Sequence, residues 1–264
     1  AYAADAATSA GYLTAVGTSA LGVLTDGTGN TAVGYGALSV NLTTGDYNTA
    51  VGHAAGQEVY GNYNTFMGRY AGLYASTTSH CVAIGPSALQ GGAYFSDATC
   101  DYDDDPTITH DANANIIAGL YVKGTGIPAG ATIASLNSST SFELSASTTG
   151  GAVTNGTLTF HRNVGIHNVA VGSAALAAIT SGGQNIAIGS YALDATTTGS
   201  GNIAMGYNAA GLCTDNSRNV VLGDYAFTSA NGGEHYNVAI GFYSLATEVS
   251  GATGCVAIGH QALE

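Results

Sequence analysis

The residues of this chain that could do chemistry are few, and they are not grouped as an enzyme groups them. The densest cluster is the acidic run Asp101, Asp103, Asp104 and Asp105, which ends at Pro106. Carboxylates at that density are candidate Ca2+ ligands, although the run has neither the glycine nor the distal glutamate of an EF-hand loop. The competing reading is a solvated acidic loop, and no other cofactor is suggested. The seven histidines are scattered. No paired carboxylates and no Ser-His-Asp order stand out, so we expect a protein that is not an enzyme. The four cysteines show no Cys-x-x-Cys metal spacing; Cys81 and Cys100 form the one candidate disulfide. The remaining group is tyrosine. Tyr35, Tyr70, Tyr191, Tyr207, Tyr225 and Tyr243 recur at related places, and rows of such rings offer an apolar face and a polar tip to a sugar. The alternative is that they pack between neighbouring elements.

What places the tyrosines is a repeat. The phrase Asn168-Val-Ala-Val-Gly172 returns at Asn185–Gly189, Asn202–Gly206, Asn219–Gly223 and Asn237–Gly241. Its glycine anchors eleven copies: Gly17, Gly34, Gly52, Gly68, Gly85, Gly172, Gly189, Gly206, Gly223, Gly241 and Gly259. Spacings are 16 to 18 residues except for the 87 between Gly85 and Gly172. Numbered from the glycine, −1 is always Val, Ile, Met or Leu, and −3 is Val, Ile or Thr. Position −2 is Ala in nine copies and −4 is Asn in eight. Alternation along a strand puts −3 and −1 on an aliphatic face and −4 and −2 on a small one. A second apolar pair follows at +3 (Ala in ten copies) and +4 (mostly Leu), then turn residues. The tyrosines fall at +1 and +2, the most variable positions, which are read as outward-facing.

Seventeen residues supply two short strands and two turns, one coil of a parallel β-solenoid. The expected fold is all-β: a β-roll of about eleven coils, with an asparagine ladder along it. The aliphatic face is expected to be each coil's interior. The alanine face is then left for a second copy of the chain to cover, because strands apolar on both faces are covered on both. The expected division is 1–93 for five coils, 94–163 for an inserted small antiparallel β module, and 164–264 for six further coils. Within the insert, strands are expected at Ile116–Val122, Ala131–Leu136, Ser141–Ser145 and Gly156–Phe160, and the module is expected on the side of the rod.

Composition narrows the partners. Charged residues are 8% of the chain and the net charge is −13, with 17 acidic against 4 basic residues, which argues against nucleic acid or an anionic membrane surface. No run of 18 apolar residues exists, so membrane insertion is not expected. Ala1-Tyr-Ala-Ala-Asp5 has no signal-peptide character, and neither end shows a solenoid cap, so the chain reads as a segment of a longer one or as a subunit that meets others along a fibre.

The phrases Asn30-Thr-Ala-Val-Gly-Tyr-Gly-Ala-Leu38 and Thr43-Thr-Gly-Asp-Tyr-Asn-Thr-Ala-Val-Gly52 resemble the repeats of bacteriophage tail fibres and related virion fibres, and more distantly the head repeats of trimeric autotransporter adhesins. The insert's Gly124-Thr-Gly-Ile-Pro-Ala-Gly130 resembles small β modules of phage structural proteins. The resemblance implies a homotrimer of parallel β-rolls in a virion appendage or on an extracellular surface. Its partners would be neighbouring fibre segments and a host receptor, a glycan by expectation. A cell-surface adhesin or self-assembling extracellular filament is the alternative. An ice-binding solenoid comes third, disfavoured by the irregular +1 and +2 positions.

Overall fold

The computed structural model describes residues 3–4, 11–39, 45–75, 78–91, 95–128, 131–161, 165–228, 233–246 and 253–263. The chain divides into two units, Ala1–Gly92 with Val164–Glu264, and Ala93–Asn163. No helix occurs among the described residues.

The first unit is a parallel β-solenoid. Its strands are the −3 to −1 triplets: β1 (Thr14–Val16), β2 (Thr31–Val33), β3 (Thr49–Val51), β4 (Thr65–Met67) and β5 (Val82–Ile84), then, after the insertion, β12 (Val169–Val171), β13 (Ile186–Ile188), β14 (Ile203–Met205), β15 (Val220–Leu222), β16 (Val238–Ile240) and β17 (Val256–Ile258). They form one eleven-stranded sheet in chain order, with β5 pairing directly to β12 and Val82 opposite Val169. The solenoid is therefore continuous across the insertion.

Each strand stops at the glycine because the next coil's backbone lies there. A Cβ on Gly34 would sit 2.5 Å from the carbonyl oxygen of Gly52, and one on Gly17 would sit 2.7 Å from that of Gly34. The glycines take φ between +119° and +142°, a region side chains avoid. Past the glycine, +2 and +4 are left-handed in every copy, as at Tyr191 and Leu193. The +2 amide donates to the coil below (Tyr191 N to Ser173 O, 2.9 Å) and the +4 amide to the coil above (Leu193 N to Ala209 O, 3.0 Å). These inter-coil bonds fix a backbone that would otherwise be strained.

The asparagine ladder forms as expected. Asn30, Asn48, Asn64, Asn168, Asn185, Asn202, Asn219 and Asn237 are all buried. The Asn185 Oδ1 accepts the backbone N–H of Asn202 at 3.0 Å, while its Nδ2 donates across the coil to Gly199 O at 2.9 Å. Each side chain thus binds its coil to the next and closes its own turn. Cys81 breaks the ladder, and its sulfur receives the Asn168 amide at 3.3 Å.

The two strand faces are the reverse of expectation. The −2 residues point inward: Ala32, Ala50, Ala83, Ala170, Ala187, Ala204 and Ala239 are completely buried against the +3 alanines and +4 leucines. The −3 and −1 aliphatics face outward, and Met67 and Met205 are each 42% exposed. In most coils one inner wall takes methyl groups and the other leucine, although the coil of Gly223 buries Val221 and Phe227 together. Phe66, the large exception at −2, is accommodated because +4 is glycine in its own coil and the one before, Gly72 and Gly56.

The second unit has six strands where four were expected: β6 (Phe95–Tyr102), β7 (Thr107–Thr109), β8 (Tyr121–Lys123), β9 (Ile133–Ser138), β10 (Ser141–Leu144) and β11 (Val153–His161), in the order β8-β11-β6-β7-β10-β9. All pairings are antiparallel, around a core that includes Cys100, Ile108, Phe142, Leu158 and Phe160. The polar stretch from Phe95 to Tyr102, not among the expected strands, is a central strand whose alternation is broken by shifts in register against β11. Ile116–Leu120, read as strand, precedes β8 as turn.

Candidate functional surfaces

Among the described residues no three or more His, Cys, Asp or Glu side chains come together as a metal site. The acidic run is engaged in turn chemistry. Asp101 Oδ1 accepts the Asn155 amide at 2.6 Å, Asp104 Oδ1 the Gly151 amide at 2.8 Å, and Asp105 Oδ1 the Thr107 amide at 2.7 Å, while Asp103 is exposed. These carboxylates diverge to separate backbone donors instead of converging on one point. Nearby, burial works against the charge of Asp97, but hydrogen bonds from Thr99 and Asn113 outweigh it and hold the carboxyl below the usual range. All four cysteines are free thiols, so Cys81 and Cys100 are not joined. Burial pushes Cys81 up to about 11 and Cys100 up to about 12, which keeps both thiols protonated and poorly nucleophilic.

The tyrosines at +1 and +2 form broken rows along the solenoid. Tyr35 stacks on His53 at 5.2 Å, and His53 meets Tyr70 edge-on at 5.3 Å. After a gap at Pro86 and Ser173 the row resumes: Tyr191 to Tyr207 at 5.9 Å, Tyr207 to Tyr225 at 5.3 Å, Tyr225 stacked on Tyr243 at 5.1 Å, and Phe242 stacked on His260 at 5.4 Å. Coil spacing matches ring-stacking distance, so each ring gives part of its surface to a neighbour. Ring edges and hydroxyls remain outward, with Tyr35 60% and Tyr207 44% exposed.

A second aromatic row, at −5, was missed in the sequence. Tyr47, Tyr63, His80 and His167 stack in succession at 5.3, 5.1 and 5.4 Å, the last contact crossing the insertion point. Farther along, Arg218 lies 5.4 Å over the ring of Tyr236. The signal was legible in register, because Tyr or His occupies −5 in six of the eleven copies. It was passed over because −5 was grouped with the turn residues.

The outer surface of the large sheet is therefore banded. The −3 and −1 rows form an aliphatic strip, flanked by the −5 row on one margin and the +1 and +2 rows on the other. Along the −3 row, Thr14, Thr31, Thr49 and Thr65 stand in register and then give way to Val and Ile.

No protein-family model, no curated protein and no solved structure matches the chain.

Proposed function

We propose that the chain is a structural segment of a virion or cell-surface fibre, assembling in parallel with two further copies and presenting its aromatic rows and inserted module to a host surface, a glycan by preference. The observation that carries this reading is the aliphatic strip. Val, Ile, Leu or Met occupies −1 on every coil and faces outward, while the single chain's own core is filled mainly by alanine and leucine. Continuous apolar patches of that extent mark contact surfaces. The argument for a partner that the sequence rested on the alanines thus moves to the opposite side of the strand. Assembly through this strip leaves the +1 and +2 tyrosines at its margin, where rings with polar tips suit carbohydrate. The reading assigns no catalytic role.

Light scattering of the native particle tests it, with and without heating in detergent. A mass three times 26.1 kDa that persists in detergent is the expected result; a monomer would overturn the proposal. A second reading draws on the in-register threonines of β1 to β4, since a flat outward threonine row can order water. Thermal hysteresis from a monomeric chain would favour ice binding instead.

A further inference from the structure

We infer that the two margins of the outer sheet face are complementary, and that in the assembled particle the −5 row of one subunit lies against the +1 row of its neighbour at the same coil height. The inference rests on the self-assembly proposed above and specifies its contact.

The first observation is a size match. Position −5 is left-handed in all eleven copies. It carries a side chain in eight of them, at φ +54° to +61°, Tyr47 and Arg218 included. The backbone therefore does not demand glycine there. Yet three coils have glycine at −5: Gly29, Gly201 and Gly254. In those three coils +1 is a ring, Tyr35, Tyr207 and His260 respectively, while the other two rings at +1, His53 and Phe242, share their coils with Tyr47 and Tyr236. A Cβ on Gly254 would meet nothing within 4 Å, and one on Gly201 would have only Arg218 nearby, with Cγ at 3.5 Å. The space beside both is open, whereas Gly29 is covered by the ring of Tyr47.

The second observation is a charge match. The solenoid has two basic residues, Arg69 and Arg218, and both stand on these margins. Arg218 occupies −5 in the one coil whose +1 residue is acidic, Asp224. Arg69, at +1, belongs to the coil with Tyr63 at −5, but its guanidinium already lies 4.5 Å over the ring of Tyr70 in its own chain, so the charge match rests on Arg218 and Asp224.

Tyr47 accounts for Gly29 within one chain, whereas the open glycines Gly201 and Gly254 and the pairing of Arg218 with Asp224 across the two margins have no such account. Positions −5 and +1 lie on opposite edges of a strand, as much as about 20 Å apart by the rise of extended chain. Arg218 Nη1 donates instead to the Tyr236 hydroxyl at 2.9 Å, and Asp224 Oδ1 accepts the Tyr207 amide at 2.7 Å. A ring of subunits about an axis parallel to the solenoid keeps equal coils at equal height. It also brings opposite margins of neighbours together, a heterologous contact that closes. That geometry accounts for both matches at once.

Disulfide trapping in the full chain tests this. Gly201→Cys with Tyr207→Cys puts thiols on both margins of one coil, too far apart to join within a subunit. Gly201→Cys with Asp224→Cys offsets them by a coil. Under mild oxidation the first pair is expected to give covalent trimers on a denaturing gel and the second no more than the parent chain. Light scattering on the same samples separates the two levels of the argument. A trimeric particle whose same-height pair does not cross-link overturns the margin pairing and leaves the assembly standing, whereas a monomeric particle overturns both. Should the cysteine variants fail to fold, charge exchange gives the same decision. Arg218→Asp is expected to lose the detergent-resistant band and Arg218→Asp with Asp224→Arg to regain it. Purely intrachain roles would add, with no recovery.

Discussion

Phe66 offers the sharpest test of the solenoid's interior. It is the one aromatic residue at −2, fully buried, where nine other coils place alanine. Its ring occupies the volume that a +4 leucine fills elsewhere. A Cβ on Gly56 would lie 2.7 Å from Phe66 Cδ2, and one on Gly72 would lie closer still to Phe66 Cε1. Phe66→Ala should therefore leave a ring-sized void that neither glycine can fill, costing about 3–5 kcal/mol. Restoring the standard pairing should recover most of that. In Phe66→Ala with Gly56→Leu and Gly72→Leu, the new leucines enter backbone at φ +55° and +62°, close to the +47° and +49° that Leu38 and Leu89 already adopt. Adding only Gly72→Leu to the intact Phe66 should instead overpack the coil and cost about 1–3 kcal/mol or more. Denaturant titration of the three variants and the parent, followed by circular dichroism at fixed protein concentration, completes the cycle. A triple variant no more stable than Phe66→Ala, or a Gly72→Leu chain as stable as the parent, would refute the idea that ring and glycines are one packing unit.

Other outcomes follow from the same geometry. Asn185→Ala leaves the Asn202 amide and the Gly199 carbonyl without their partner inside the solenoid; the expected loss is about 1–3 kcal/mol for each orphaned group, read by thermal melting. Gly189→Ala drives a Cβ into the Gly206 carbonyl at φ +128° and should cost more than the about 1–3 kcal/mol of a strained φ alone. In the inserted module, burial first and Lys123 second push His161 down to about 4 from 6.5. The unfolded chain thus takes up a proton that the folded one refuses, so the stability of the module should be full above pH 6.5 and fall as pH drops toward 4. His161→Phe should flatten that slope in a pH series of denaturation midpoints. Ile188→Lys with Met205→Lys, both on the outward strip, should yield folded monomers by light scattering and circular dichroism; a trimer would place the contact elsewhere.

The repeat, its parallel stacking and the asparagine ladder were all legible, because a fixed period constrains each position eleven times over. Which strand face points inward was not. Alternation separates −3 and −1 from −4 and −2 but leaves the two sides equivalent, and the usual rule that larger apolar side chains go inside chose wrongly. The asparagines held the answer. A buried amide at −4 donates to its own coil's turn carbonyl, as Asn48 does to Gly61 O at 2.9 Å, so −4 and with it −2 must look across the coil. The acidic strand β6 was hidden for a different reason. Its side chains Asp97 and Asp101 bind amides and a hydroxyl along the sheet, and that polar content reads as loop in a linear sequence.

The inverted faces bear on why so uncharged a chain has this pattern at all. With methyl groups on one inner wall, the solenoid's own core is built mostly from Ala and Leu, and a solvent-facing sheet could carry Ser, Thr or Lys at −1 with no loss inside. Yet −1 never leaves Val, Ile, Leu and Met across eleven coils, while +1, a few ångströms away, ranges over Pro, Ser, Asp, Arg and Tyr. A position that lies outside the core and still never turns polar supports the proposed contact with a second copy. In the assembly proposed above, an apolar strip about eleven coils long, each coil adding about 4.8 Å, would be met by a cover equally long and equally periodic. Another copy of the same solenoid, parallel and in step, supplies one coil for each coil, and a globular ligand does not.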